Sequence, residues 1–276
     1  MNSLLLSHKI RIHAVEMTHR SHGSHIGSVL SVADIVAILY SDILKYHADD
    51  PKWDGRDRLI LSKGHAGAAV YAALAECGFF DAELLKTHYQ DGSILSGHVS
   101  HKGIPGVEFS TGSLGHGLPA GIGMAIAAKK DGKTHHVHVV ISDGECDEGS
   151  NWEAALFAAH YGLDNLIVTM DRNMMQSLDF SENTLRLEPL GDKWRAFNWR
   201  VYEIDGHDHE ALRQAYAEAY QGDGRPVMII ARTVKGKGVS FMENNILWHY
   251  RFPHDGGEYE GALAELEAQA PKGSVD

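Results

Sequence analysis

Cysteine is scarce: the 276 residues contain two, Cys77 and Cys146, far apart and without the spacing of a disulfide framework or a zinc knuckle. Positive charge is outweighed, with 25 Lys and Arg against 37 Asp and Glu, and no basic block interrupts the net charge of -12. A nucleic-acid partner is therefore not expected. No apolar run stands out at the eighteen or so residues that would cross a bilayer, so no membrane association is expected. Leu4-Leu5-Leu6 lacks the cationic start and small-residue cleavage site of a secretion signal, which predicts a cytoplasmic protein. There is no Pro/Ser-rich linker, internal repeat or low-complexity tract, only a polar, glycine-bearing tail from about residue 256. One domain over 1–276 is the simplest organisation, and 43% hydrophobic residues suffice for a sizeable core.

What is present is a regular alternation of apolar segments in the second half. Those at 136–142, 165–171, 200–205 and 226–233 read as strands, with helical segments at 151–161, 189–197 and 210–221 between them. The order βαβαβαβ predicts an α/β fold, an open, mostly parallel sheet with helices on both faces. In the first half, Ser31 with Asp34 three residues on predicts a capped helix start, followed by Ile35, Ile38, Leu39 and Leu44 at near-helical spacing. Stretches rich in alanine and glycine at 66–78 and 118–130 predict buried helices packed closely on a sheet.

Open parallel sheets bind ligands beyond the C-terminal ends of their strands. The first strand of the regular half ends in Ser142 and runs into Asp143-Gly144-Glu145-Cys146-Asp147-Glu148-Gly149. Gly144 permits a close backbone approach to a phosphate, the next helix offers unpaired N–H groups, and Asp143 offers a carboxylate to a hard cation. The next strand ends in Asp171-Arg172-Asn173, which brings an amide oxygen to the neighbouring strand end. An Asp-Gly pair alone is more often just a turn. Joined to Trp152-Glu153-Ala154-Ala155 and to Asn173, it resembles the thiamine-diphosphate signature of an acidic turn, an EA-containing helix and a later asparagine.

From Gly23 to His249 the chain resembles the N-terminal half of transketolase. Ser24-His25-Ile26-Gly27, Leu61-Ser62-Lys63-Gly64-His65-Ala66 and Ser96-Gly97-His98 are similar to that family's first histidine motifs. Thr111-Gly112-Ser113-Leu114-Gly115-His116-Gly117 is similar to the glycine loop lining the cofactor's rings, and Glu243-Asn244-Asn245 with Trp248-His249 to the last histidine motif. The resemblance implies the diphosphate-binding type of thiamine-diphosphate-binding fold. It also implies ketol transfer, in which a two-carbon unit leaves a ketose donor through the thiazolium and joins an aldose acceptor, the substrates being sugars or sugar phosphates. By the same resemblance His25, His65, His98 and His249 are catalytic, and His65, Gly112, Leu114, Gly144, Glu145, Asn173 and His249 bind the cofactor. A metal, Mg²⁺ or else Ca²⁺ or Mn²⁺, falls to Asp143, Asn173 and the carbonyl of Met175. His25 and His249 would exchange protons with the reacting oxygen, and His65 and His98 would hold the donor's terminal hydroxyl. His135, His136 and His138 are left as surface or packing residues.

The chain departs from the family pattern at Ser142, where a glycine is usual, at Ile26, where proline is frequent, and at Met174-Met175, where a polar-then-aliphatic pair is usual. No segment corresponds to the family's pyrimidine-binding domain, which supplies the glutamate that polarises the aminopyrimidine. A C-terminal partner subunit is therefore expected, with two copies of each chain in a heterotetramer. One alternative is another acyloin-forming, thiamine-diphosphate enzyme of sugar biosynthesis, although four motif histidines favour ketol transfer. A second is an NAD-dependent dehydrogenase, because Gly115-His116-Gly117-Leu118-Pro119-Ala120 has the form GxGxxA. That fingerprint should follow a first β-strand and precede an acidic residue at a second strand end, and here 107–111 leads instead into an alanine-rich helix. A third, a non-catalytic subunit, is disfavoured by the intact metal and histidine motifs.

Overall fold

The computed structural model describes residues 1–271. Its main elements are α1 (Ser3–Ser21), α2 (Ile26–Ile38), β1 (Arg58–Leu61), α3 (Gly67–Glu76), α4 (Gly117–Lys130), β2 (Val137–Ser142) and α5 (Gly149–His160). They continue with β3 (Leu166–Arg172), α6 (Ser181–Thr184), α7 (Leu190–Ala196), β4 (Arg200–Asp205), α8 (His209–Ala219), β5 (Val227–Arg232) and α9 (Glu258–Glu267). The five strands pair in parallel in the order β1-β2-β3-β5-β4.

The central strands β2 and β3 are buried along their whole length because both of their faces are covered, so neighbouring residues enter different cores. Val140, Ile167, Val227 and Ile229 pack with α1, α2, α3 and α8, whereas Val139, Ile141, Val168 and Ile230 pack with α4, α5 and α7. Register aligns the strand ends: Leu61 pairs with Val140, Ser142 with Asp171, and Arg172 with Arg232. The residues just beyond these pairs therefore emerge along one edge.

The expected covered parallel sheet is present, but the first half holds more structure than its periodicity predicts. Helix α2 starts at Ile26, so Ser31 lies inside it rather than capping it. The Ser31 hydroxyl is buried and donates to Asp171 Oδ2 at 2.6 Å, a long-range partner that replaces the capping role. The strand β1 is only four residues long, and no periodicity announces it. Segment 26–43 also corrects the reading that no apolar run is long enough for a bilayer: its mean hydropathy is 1.7 over 18 residues, and it is 83% buried inside the protein. Within the polar tail expected from about residue 256, Glu258–Glu267 forms α9, whose Ala262 and Leu266, one turn apart, are buried in the core shared with α1, while 272–276 lie outside the described residues. Finally, 107–111 is not a strand, which removes the structural context of a dinucleotide fingerprint.

Candidate functional site

A polar cavity of about 210 Å³ opens at the aligned strand ends. Its walls include His25, His65, His98, His249, Gly112, Leu114, Asp143, Gly144, Asn173 and Met175. Strand ends and loops from most of the chain's length bring them together. His65 lies in a tight helical turn after β1, His25 precedes α2, and His98 and the glycine loop precede α4. Asp143 follows β2, Asn173 follows β3, and His249 ends a short helical turn after β5.

The imidazoles form one cluster. The His25 ring centroid lies 5.2 Å from that of His65, 5.5 Å from His98 and 5.1 Å from His249. His25 is held in the left-handed region at φ 75°, which costs a non-glycine residue about 1 kcal/mol. Its N–H donates to the His249 carbonyl at 2.9 Å, and Ser24 Oγ lies 2.7 Å from its Nδ1. The first of these bonds holds two distant motifs in register, and the second orients the ring.

Burial, followed by the charges of His98, Lys235 and Lys63, pushes His25 down to about 4. Burial and then Lys235 push His249 down to about 3. His65 is held well below its ordinary value by burial and then Lys63, and His98 is lowered by burial. All four are thus neutral near pH 7, each ring having one N–H and one lone-pair nitrogen. Lys235 Nζ lies 2.7 Å from His249 Nδ1, and an ammonium only donates, so His249 carries its own hydrogen on Nε2.

The floor is acidic. Asp143 is 1% exposed, and burial, with Asp171 adding to it, raises its carboxyl to about 6. It accepts from Gly144 N–H at 2.8 Å and Met174 N–H at 2.8 Å. Among the described residues no Lys, Arg or His forms an ion pair with it, so this carboxylate stands to gain from a cation. Asn173 turns its Nδ2 toward Ser31 and Asp171, leaving Oδ1 as its acceptor end. The Met175 carbonyl is already directed at a cation, lying 3.3 Å from Lys235 Nζ. Below them Asp171 is fully buried; burial alone would raise it, but its ion pair with Lys63 holds it low.

Glu145 is the predicted site residue that the structure places elsewhere. Its side chain is 0% exposed and turned behind the cavity, accepting from the Ser62 hydroxyl, from Gly115 N–H at 2.9 Å and from Ser142 N–H at 3.3 Å. In sequence it stands next to Gly144, but the short helical turn at Gly144–Asp147 rotates it inward. It braces the glycine loop instead. That loop is tightly packed: Gly115 has φ 79°, and a Cβ there would lie 2.5 Å from Ser150 Oγ.

Lys63, Lys235 and Tyr250 also line the cavity, and sequence reasoning misses all three. Lys63 stands inside a histidine motif that draws attention to His65. Lys235 follows the end of β5, where the strand-end rule could have found it. His138, by contrast, is a packing residue, buried with Nε2 3.0 Å from the Tyr220 hydroxyl.

Residues 3–250 match the family model described as transketolase, thiamine diphosphate binding domain. The chain is 43% identical over 245 residues to the 6-deoxy-6-sulfo-D-fructose transketolase subunit SqwG of a Clostridium species, covering 89% of both chains. It is 45% identical over 246 residues to an apulose-4-phosphate transketolase subunit of Actinobacillus succinogenes, covering 89% of this chain and 88% of the relative. The solved structure of transketolase from Leishmania mexicana superposes with a TM-score of 0.90 at 31% identity, covering 100% of this chain and 43% of the other. The chain therefore spans less than half of that solved transketolase, and it belongs to the transketolase family, matching its thiamine-diphosphate-binding domain.

Proposed function

We propose that this chain is the diphosphate-binding subunit of a two-component transketolase that moves a two-carbon ketol unit from a ketose to an aldose. The carrying observation is the cluster of His25, His65, His98 and His249 above a floor of Asp143, Gly144 and Asn173. Thiamine diphosphate, when bound, supplies the nucleophilic carbon that takes up the two-carbon unit. The oxygen donors Asp143, Asn173 Oδ1 and Met175 O suit Mg²⁺, or Ca²⁺ or Mn²⁺, with phosphate oxygens completing the shell. Among the described residues no three His, Cys, Asp or Glu gather into a self-contained metal centre, which fits a cation shared with a phosphate ligand.

The protein's own part is proton management. Neutral imidazoles accept a proton from a sugar hydroxyl and return it to an alkoxide, and His249 Nε2–H is ready to donate. His98→Ala, and separately His249→Ala, should lower kcat of the enzyme assembled with its partner subunit by roughly two to four orders of magnitude in a ketose-plus-aldose assay. The thermal midpoint should change little. Variants that merely unfold would return the histidines to a structural role and remove the main support for ketol transfer.

A smaller effect is expected at Glu145. Glu145→Ala leaves the Ser62 hydroxyl and the Gly115 N–H without their acceptor, whereas Glu145→Gln retains a carbonyl oxygen there. Cofactor affinity, read by calorimetry, should fall about tenfold or more in the alanine variant and less in the glutamine variant, as for other residues that orient a binding shell. Equal affinities in all three proteins would mean that the glycine loop needs no brace.

A further inference from the structure

Tyr250 follows His249 directly and lines the cavity, yet the residue remains 64% exposed. Its ring centroid lies 4.6 Å from that of His249 and 5.6 Å from that of His25, both edge-on. Among the described residues its hydroxyl makes no hydrogen bond, and at this exposure it is open to water or to a ligand. One side of the ring is therefore fixed by the histidines, and the rest, with a free hydroxyl, faces the mouth. The neighbouring Arg251 is turned away, over Trp248 and onto Glu258, so it does not compete for this space.

Resting on the ketol-transfer reading, we propose that Tyr250 is a specificity-determining residue that contacts the sugar carbons beyond the two that are transferred. The reacting atoms lie among the imidazoles, and Tyr250 is one ring further out. A chain leaving that centre toward the mouth presents C–H groups to the exposed ring and a hydroxyl to the unpaired phenol oxygen. A two-carbon aldehyde does not extend that far. Tyr250 therefore discriminates by substrate length, favouring longer sugars, and does so through binding energy gained outside the reacting centre.

The test uses the chain assembled with its partner subunit, β-hydroxypyruvate as fixed two-carbon donor, whose loss of CO2 makes the transfer one-way, and aldoses from glycolaldehyde to ribose. Tyr250→Gly should lower the ratio of kcat/KM for ribose over glycolaldehyde by about tenfold or more, and Tyr250→Phe by a smaller factor. Partner association, followed by sedimentation, should match wild type. An unchanged ratio, an equal fall with every aldose, or a ratio that rises on truncation would overturn the assignment. So would weakened partner association, which would make Tyr250 an interface residue. Wild-type protein inactive with every aldose would instead overturn the ketol-transfer reading, and this proposal with it.

Discussion

Asp143→Ala is expected to abolish binding of thiamine diphosphate with Mg²⁺ while leaving the fold intact. An Asp-Gly pair is by itself most often just a turn, but the carboxyl is 1% exposed and is raised to about 6 by burial and the nearby Asp171. Its ionised form is thus disfavoured until a cation arrives, and removing it takes away a buried charge rather than a stabilising pair. The unliganded variant should unfold at the wild-type midpoint or slightly above it. Ligand linkage gives a second readout, since cofactor at one hundred times its dissociation constant stabilises the wild type by about 2.7 kcal/mol. That gain should vanish in Asp143→Ala, and in wild type treated with a chelator. A variant that still gains the full ligand-induced shift would remove Asp143 from the metal shell. The Gly144, Met174 and Ser181 donors that now face Asp143 are polar and near the cavity, so water can take its place without collapse of the turn.

The floor of the site is legible in the sequence because strand-end chemistry is local. Asp143 and Asn173 stand at the ends of mostly apolar strand segments, and a parallel sheet forces such residues onto one edge. The histidines are legible only through resemblance. Nothing in the spacing of His25, His65, His98 and His249 reveals that the last three rings lie within 5.5 Å of the first, because those contacts depend on loops crossing between strands. Glu145 is misread for the same reason in reverse: adjacency to Gly144 says nothing about which way a short helical turn points its side chain. Ser31 matches a capping pattern, yet its true partner, Asp171, is 140 residues away. A period argument also passes over β1, whose four residues become a strand through pairing with β2. The charge and glycine of the tail suggest a polar extension, while the pair Ala262 and Leu266 already has the spacing of a helix face.

The purified chain should show no ketol transfer alone and should gain it on mixing with a subunit that carries a pyrimidine-binding domain. Among the described residues, Asp143 is the carboxylate lining the cavity, and the proposed function commits it to a metal; Glu145 is turned away. A carboxylate to polarise the cofactor's aminopyrimidine must therefore come from outside this set of residues. The mouth is also open, with His98, Gly112 and Tyr250 exposed, so water would reach any reactive species held there. Exposed apolar surface is available to a partner in segments that follow the site residues. Leu178, Phe180 and Leu185 are 82%, 46% and 54% exposed in the segment after Asn173, and Leu156 and Tyr161 are 62% and 55% exposed on and just after α5, the helix that follows Asp143. Large apolar side chains left this exposed suit an interface. Two copies of each chain in a twofold-symmetric assembly are expected, and hydrogen exchange should slow on mixing in α5 and around Gly112. The decisive comparison is an assay with ketose, aldose, thiamine diphosphate and Mg²⁺, run with and without the second subunit. Robust turnover by this chain alone would mean that it holds a complete active site, and the two-component architecture would have to be abandoned.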